Sequence, residues 1–371
     1  MENKVKHIII SGGGTGGHLF PAIAIAQALE KSGEKINILF VGAKGKIEEE
    51  KVPALGYNIE LLDIAGFQRR FTFKNISFFF KLFKSISKSK QIIKKFNPDI
   101  AVGVGGYASG PLLRVASKNG IPYVLQEQNS FPGITNKMLA KNAEKICVAY
   151  EGTERFFPKE KIIITGNPVR ESLKNVIETK EEAKLFFGIN PQTKLILSLG
   201  GSLGAGTINK AIGNSLKSLI DSGSSILWQT GKLYYKDCKK AADEFKSDSV
   251  KVTDFVTRMD LAYRAADIVI SRAGAGTISE LCLLGKAFIL VPSPNVAEDH
   301  QTKNALALVK GNAAILIPDI EADNLLVKTA LKTLKEPVKL QELSNNSKKF
   351  AVEGSADKIA KEILKIVERK K

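Results

Sequence analysis

Cysteine is scarce in this chain, and the little there is forms no pattern. Cys147, Cys238 and Cys282 lie far apart and no C-x-x-C occurs. That excludes a disulfide framework and a cysteine zinc site, and it fits a reducing, cytoplasmic setting. No stretch approaches the roughly 20 apolar residues needed to cross a bilayer. The opening MENKVKHIII runs straight into a strand pattern, without the apolar region and small-residue cleavage site of a secretory signal. Negative charge is missing locally. Between Asp63 and Asp99 there is no acidic residue, yet nine basic ones from Arg69 and Arg70 to Lys95, in a chain with 55 Lys and Arg against 38 Asp and Glu.

The same acid-free stretch holds eight of the 19 phenylalanines, among them Phe78, Phe79, Phe80 and Phe83 beside Lys81 and Lys84. Basic charge alone would also suit a nucleic-acid binder. Here, however, the aromatics come as a block at near-helical spacing, with no sheet motif of the RNA-binding kind, and no nucleic acid is expected. Lys and Arg beside Phe and Leu on one helix is the pattern of a segment that settles into an anionic membrane surface. The alternative is a core helix with a solvated basic face.

At 371 residues, two domains are expected. Strand, tight loop and helix recur. KHIIISGGGTGGHLFPAIAIAQALE and KLILSLGGSLGAGTINKAIG both pass from an apolar strand through glycines into a helix. A second pair, DIAVGVGGYASGPLL from Asp99 and DIVISRAGAGTISEL from Asp267, also repeats strand, glycine loop and helix. Short apolar runs alternating with helical patterns predict buried parallel strands and βαβ units. The fold class is therefore α/β, two Rossmann-like parallel-sheet domains facing a cleft, joined near TGNPVRESL where Pro168 breaks the pattern.

The first glycine loop, Ser11 to Pro21, almost fits two phosphate motifs. Gly12, Gly14 and Gly17 spell G-x-G-x-x-G, but the second strand ends in Val41, Gly42 and Ala43, without the acidic residue that holds a dinucleotide ribose. As a P-loop it has His18 where lysine belongs. What remains is a glycine turn whose backbone can approach a ligand, with helix N-terminal amides suited to an anion or a sugar hydroxyl. His18 would lie in the first helical turn, where the helix dipole favours the neutral imidazole a general base needs. A histidine merely bonded to backbone is the alternative.

Gly200, Ser202 and Gly204 match G-x-S-x-G, the nucleophile elbow, with Asp254, Asp267 and His300 following in α/β-hydrolase order. A serine hydrolase using Ser202 is thus one alternative function; a non-catalytic, membrane-associated nucleotide-sugar binding protein is another. Thr277 to Glu280 fits a capping box, T-x-x-E. Glu280 could instead accept both hydroxyls of a ribose, and capping and ribose binding compete for that carboxylate. Asp299, His300, Gln301 and Asn304 cluster in the last loop, where they could fix a sugar or a phosphate.

GGGTGGHLFPA, GVGGYASGP, QEQNSFPGITNKMLA, TGNPVR, LGGSLGA, VTDFVTRM, SRAGAGTISE and DHQTKNA occur in this order. Together they resemble the signatures of the bacterial N-acetylglucosaminyltransferases of peptidoglycan synthesis, the MurG family within glycosyltransferase family 28. The resemblance implies the GT-B architecture and conversion of lipid I to lipid II. It implies an N-terminal acceptor and membrane domain over 1–167, a donor domain over 168–349 and a terminal helix, about 350–371, packed back on the first. UDP-N-acetylglucosamine would meet Ser202 and Arg170 at its diphosphate, the Val256 backbone at its uracil, Ala275, Gly276, Thr277, Ile278 and Ser279 along the nucleotide, Glu280 at the ribose, and Gln301. Thr15, Gly16, Gly17 and Asn129 would complete the sugar side, and His18, Tyr107 and Glu127 would lie near the acceptor. Where this family usually has histidine, the chain has Gln126.

The α-linked donor and β-linked product require one inverting displacement at the anomeric carbon. His18 is the expected base for the acceptor's 4-hydroxyl and Glu127 the second candidate. Backbone amides of the glycine loop and Arg170 would stabilise departing UDP. With no Asp-x-Asp motif, no cofactor and no protein-bound metal are expected, although Mg²⁺ could accompany the diphosphate. The basic, Phe-rich stretch, with Arg69, Arg70, Phe78, Phe79, Phe80, Lys81, Phe83 and Lys84, would hold the enzyme peripherally on anionic lipids at the cytoplasmic face of the inner membrane, in a cell-wall synthesis complex.

Overall fold

The apolar runs become two sheets of parallel strands, each covered on both faces by helices. The structure, a computed structural model, describes residues 5–64, 74–201, 203–296 and 299–369, with side chains at 74–77, 79 and 171 left undescribed. The chain divides into one compact unit of 1–170 with 352–371, and a second of 171–351. The sequence reading puts these divisions at 167/168 and about 350.

In the first unit the elements run β1 (Lys6–Ser11), α1 (Gly16–Glu30), β2 (Ile36–Ala43), α2 (Ile47–Ala54), β3 (Asn58–Leu62), α3 (Lys74–Phe96), β4 (Ile100–Gly103), α4 (Ser109–Lys118), β5 (Tyr123–Glu127), α5 (Ile134–Leu139), β6 (Lys145–Val148) and β7 (Ile162–Ile164). The strands pair in the order β3-β2-β1-β4-β5-β6-β7, all parallel. Side chains alternate between faces with period two. Ile8 and Ile10 of β1 enter the core beneath α1, whereas Ile9 enters the opposite core with Ile92 and Ile93 of α3 and Leu112 of α4.

In the second unit the elements are α6 (Lys180–Phe186), β8 (Leu195–Leu199), α7 (Gly206–Asn214), α8 (Leu216–Asp221), β9 (Ser225–Gln229), α9 (Tyr235–Asp243), β10 (Val250–Thr253), α10 (Met259–Ala265), β11 (Ile268–Ser271), α11 (Ala275–Leu283), β12 (Phe288–Leu290), α12 (His300–Lys310), β13 (Ile315–Leu316), α13 (Ala322–Leu334) and α14 (Pro337–Lys348). Its order, β10-β9-β8-β11-β12-β13, repeats that of the first six strands of the first sheet. The last helix, α15 (Ser355–Arg369), belongs to the first unit, where Ile359, Ile363, Ile366 and Val367 join the core under α1.

The repeat has a shared hydrogen-bond signature. The Asp99 carboxylate accepts the His7 N–H at 2.7 Å and the Asp267 carboxylate accepts the Leu195 N–H at 2.8 Å. In return the Asp99 N–H donates to the His7 carbonyl and the Asp267 N–H to the Leu195 carbonyl. Each aspartate thereby locks the two central strands on either side of the switch point, where the strand order reverses and ligands gather at the carboxyl ends. Among the described residues, no helix is long and apolar enough to cross a membrane.

Candidate functional site

In the first unit, the chain leaves β1 and turns through Gly12 to Thr15 before α1 begins. This turn is clamped by Glu48 of α2, a carboxylate only 1% exposed. The Gly14 N–H donates to both of its oxygens, at 3.0 and 2.8 Å, and the Ala43 N–H donates to Oε1 at 2.9 Å. Gly13, at φ +150°, lies so close that a Cβ there would sit 2.2 Å from Oε1, so only glycine fits. Glu48 was not singled out from sequence, because it lies 34 residues from Gly14 and looks like one more acid in an EEE run. Glu48→Gln keeps the shape but sets an NH₂ against the Gly14 N–H. It is expected to cost about 1–3 kcal/mol and to lower turnover; an unchanged thermal melt would refute the clamp.

Thr15 is the N-cap residue of α1, exposed, with no capping bond from its side chain, and Gly16 and Gly17 open the helix. His18 follows, partly buried. Its Nδ1 lies 3.0 Å from the Val104 carbonyl oxygen and 3.2 Å from Gln128 Oε1. A carbonyl can only accept, so Nδ1 carries the proton and Nε2 keeps its lone pair in the neutral ring. The ring rests on Gly105, at φ +89°, where a Cβ would meet Cε1 and Nδ1 at 2.9 Å each. Tyr107, in the same turn between β4 and α4, is 49% exposed.

Glu127 ends β5 and is 2% exposed. Its Oε1 accepts from the Asn129 N–H at 3.0 Å and from Asn129 Nδ2 at 3.3 Å; its Oε2 accepts from Asn136 Nδ2 at 2.8 Å and the Gly133 N–H at 3.2 Å. Both oxygens are thus committed to shaping the 129–136 turn. Such a group is poorly placed to take a proton, whereas Nε2 of His18 has the required lone pair. Arg170 stacks its guanidinium 4.4 Å over the Phe20 ring of α1, a cation–π contact that holds the arginine against the helix following the glycine turn.

In the second unit, residues 200–205 join β8 to α7. That is a multi-residue excursion, unlike the sharp strand-to-helix turn of a nucleophile elbow. Ser202 itself lies outside the described residues. Val256 is buried, and its N–H donates to Gln229 Oε1 at 3.0 Å. Helix α11 starts at Ala275 with Gly274 as its N-cap. Thr277 therefore sits inside the first turn, and the capping box anticipated over Thr277–Glu280 does not form. Glu280, 8% exposed, instead accepts the Tyr263 hydroxyl at 2.8 Å on Oε2. Ala275 and Ile278 are buried, Gly276 and Thr277 partly so, and Ser279 Oγ bonds back to the Ala275 carbonyl. Gln301, in the first turn of α12, accepts the Ser293 N–H at 2.9 Å.

A second group not singled out from sequence ties these loops together. Arg272, just past β11, donates to the carbonyls of Val291 and Pro292 and pairs with Asp319, whose other oxygen accepts the Thr207 hydroxyl at 3.0 Å. The loop after β11, the loop after β12 and the first turn of α7 are thereby set relative to one another.

On α3, Phe80 and Phe83 are 67% and 71% exposed, while Leu82 and Ile86 turn to the core. Phe78 is partly buried, Lys84 is exposed, and Lys81 pairs with Asp63 at 2.9 Å. Arg69 and Arg70, and the Phe79 side chain, lie outside what is described.

The glycosyltransferase family 28 N-terminal domain matches residues 8–148 and the family 28 C-terminal domain residues 195–361. A Parabacteroides distasonis protein is 55% identical over 363 residues, 98% of this chain and 99% of its own length. A Porphyromonas gingivalis protein is 50% identical over 371 residues, 100% of this chain and 98% of its own. Both are UDP-N-acetylglucosamine--N-acetylmuramyl-(pentapeptide) pyrophosphoryl-undecaprenol N-acetylglucosamine transferases. The crystal structure of Acinetobacter baumannii MurG superposes with a TM-score of 0.72 at 27% identity, covering 97% of this chain and 99% of that one. Neither a hydrolase nor a non-catalytic binding protein finds support among these likenesses.

Proposed function

The chain belongs to glycosyltransferase family 28, and from that premise we infer that it transfers N-acetylglucosamine from UDP-N-acetylglucosamine to the muramyl sugar of lipid I, giving lipid II. It is a hexosyltransferase with the two-sheet GT-B architecture. The observation that carries the reading is full-length identity of 55% to a transferase of that activity, joined to a histidine whose Nδ1–H is held by the Val104 carbonyl.

In this reading the acceptor's 4-hydroxyl gives its proton to His18 Nε2 as its oxygen attacks the anomeric carbon. The bond to UDP breaks on the opposite face and the configuration inverts. The donor lies on the second unit, with Glu280 at its ribose, Gln301 and the first residues of α11 along the nucleotide, and the Val256 carbonyl at the base. The diphosphate's growing charge falls to the helix N-terminus of α7 and to Arg170. Thr15, Gly16, Gly17 and Asn129 complete the sugar side, and Glu127 shapes the turn that carries Asn129. The reading requires no protein-bound metal. Incubation with UDP-N-acetylglucosamine and a short-chain lipid I analogue should release UDP in step with disaccharide formation. Donor binding without turnover would reject the assignment.

Charge and exposure support peripheral attachment to an anionic membrane. The first unit has 31 basic against 18 acidic residues, the second 24 against 20. The excess thus sits with the unit that exposes Phe80 and Phe83. Each Lys or Arg near such a surface contributes on the order of 1 kcal/mol, screened by salt. Vesicles containing phosphatidylserine should therefore bind the protein, and raising the salt several-fold should weaken binding by roughly tenfold or more. Phe80→Ser with Phe83→Ser should weaken it further; salt-independent binding would contradict the electrostatic part.

A further inference from the structure

We propose that three buried carboxamides, Asn167, Gln126 and Gln128, form a positioning chain that, together with the Val104 carbonyl, holds His18 in its Nδ1–H tautomer and so keeps Nε2 bare. The three side chains are 3%, 0% and 2% exposed. Their bonds run in one direction. His18 Nδ1–H faces Gln128 Oε1 at 3.2 Å, Gln128 Nε2 donates to Gln126 Oε1, and Gln126 Nε2 donates to Asn167 Oδ1 at 3.2 Å. Asn167 Nδ2 closes the chain by donating to the Gln128 carbonyl at 3.1 Å.

The direction is dictated by chemistry. Gln128 Nε2 also lies 2.7 Å from the Val104 carbonyl, which can only accept, so the amide nitrogen must be there. Oε1 must then point the other way, toward His18. The Val104 oxygen thus orients both the ring and the amide beside it, and the remaining links hold that amide in place. A buried polar chain of this kind is stable only when every member is satisfied. Removing one link leaves a donor or acceptor without its partner.

The same pattern accounts for Gln126. It accepts one hydrogen bond and donates one. A neutral imidazole, with one lone pair and one N–H, meets that demand equally. Glutamine here therefore replaces histidine as a link in the chain, with no proton transfer assigned to this position.

The inference rests on the reading of His18 as the base, but its first readout is independent of it. Protein labelled with ¹⁵N-histidine, assigned against His18→Ala, reports the ring tautomer directly by NMR. Wild type is expected to show Nδ1–H. Gln128→Leu removes one of the two acceptors that Nδ1–H faces and leaves the Val104 carbonyl alone. The share of Nε2–H ring should therefore rise measurably and kcat fall by roughly tenfold to a hundredfold, within what a general base contributes, with the KM for UDP-N-acetylglucosamine unchanged. Gln126→Leu, one link further away, should do the same more weakly, and serves if the Gln128 variant does not fold. Gln126→His should keep both the tautomer and kcat. Nε2–H in the wild type would overturn the inference, as would Gln128→Leu or Gln126→Leu with wild-type tautomer and kcat, or Gln126→His that loses the tautomer. Full turnover by His18→Ala would instead reject His18 as the base and leave the tautomer result standing.

Discussion

Replacing His18 by alanine is expected to lower kcat for lipid II formation by on the order of a hundredfold to ten-thousandfold, the range a positioned general base contributes. The KM for UDP-N-acetylglucosamine should change little, because the residues assigned to the uracil and the ribose lie in the other unit. A sugar hydroxyl is a weak nucleophile until its proton moves, and the attack develops charge that water would otherwise have to accommodate. In the structure the imidazole is fixed through Nδ1 to Val104, so the lone pair on Nε2 has a defined direction before any substrate arrives. Glu127 is the competing base. Its two oxygens already accept from Asn129, Gly133 and Asn136, and Glu127→Gln should therefore mainly disturb the 129–136 turn. The measurement is single-turnover disaccharide formation with both variants at saturating donor. Near-wild-type chemistry in His18→Ala, with strong loss in Glu127→Gln, would reverse the assignment.

What could be read from sequence was local. The two doubly wound sheets were legible because parallel strands buried on both faces appear as continuous apolar runs. The repeat starting at Asp99 and Asp267 was also legible, although its reason was not. Each aspartate bonds a strand, at His7 or Leu195, that lies 92 or 72 residues earlier. The same distance hides Glu48 and the Asn167–Gln126–Gln128 chain, whose members are ordinary polar residues until folding gathers them. For Glu280 the sequence offered two roles, and the backbone removed one by starting α11 at Gly274 and Ala275 instead of after Thr277. Local pattern reveals which loops face a ligand; long-range hydrogen bonds decide which side chains in them are available to it.

Asp267 is where such a long-range bond should matter most for stability. Its carboxylate is 5% exposed and meets Lys180 at 2.6 Å, Lys194 at 3.5 Å and the buried Lys184 at 3.8 Å, besides the Leu195 N–H. Burial by itself would raise its pKa. The hydrogen bonds from Lys180 and Leu195, with the charges of Lys180 and Lys184, outweigh that and hold it below the usual carboxylate value. Asp267→Asn keeps the shape and removes the buried negative charge that these lysines meet. The expected cost is about 3 kcal/mol, toward the low end for breaking a buried pair because Lys180 and Lys194 can turn to solvent. For a unit of this size that is a fall of about 10 °C in the melting of the second unit. Since the folded carboxyl titrates lower than the unfolded one, its contribution is complete above the unfolded value near 3.9 and vanishes as pH falls through the folded value. The gap between wild type and variant should therefore be wide at pH 7 and close below about pH 4. Lys286 acts on the alkaline side. Burial, aided by Lys180 and opposed by Asp267, pushes it down to about 8, so the unfolded chain binds the extra proton above that pH and stability rises toward the ordinary lysine value. Removing the Asp267 charge should move the start of that rise to lower pH. Thermal unfolding of both proteins from pH 3 to 10 tests the two limbs together, and a gap that does not depend on pH would show that Asp267 acts through shape instead of charge.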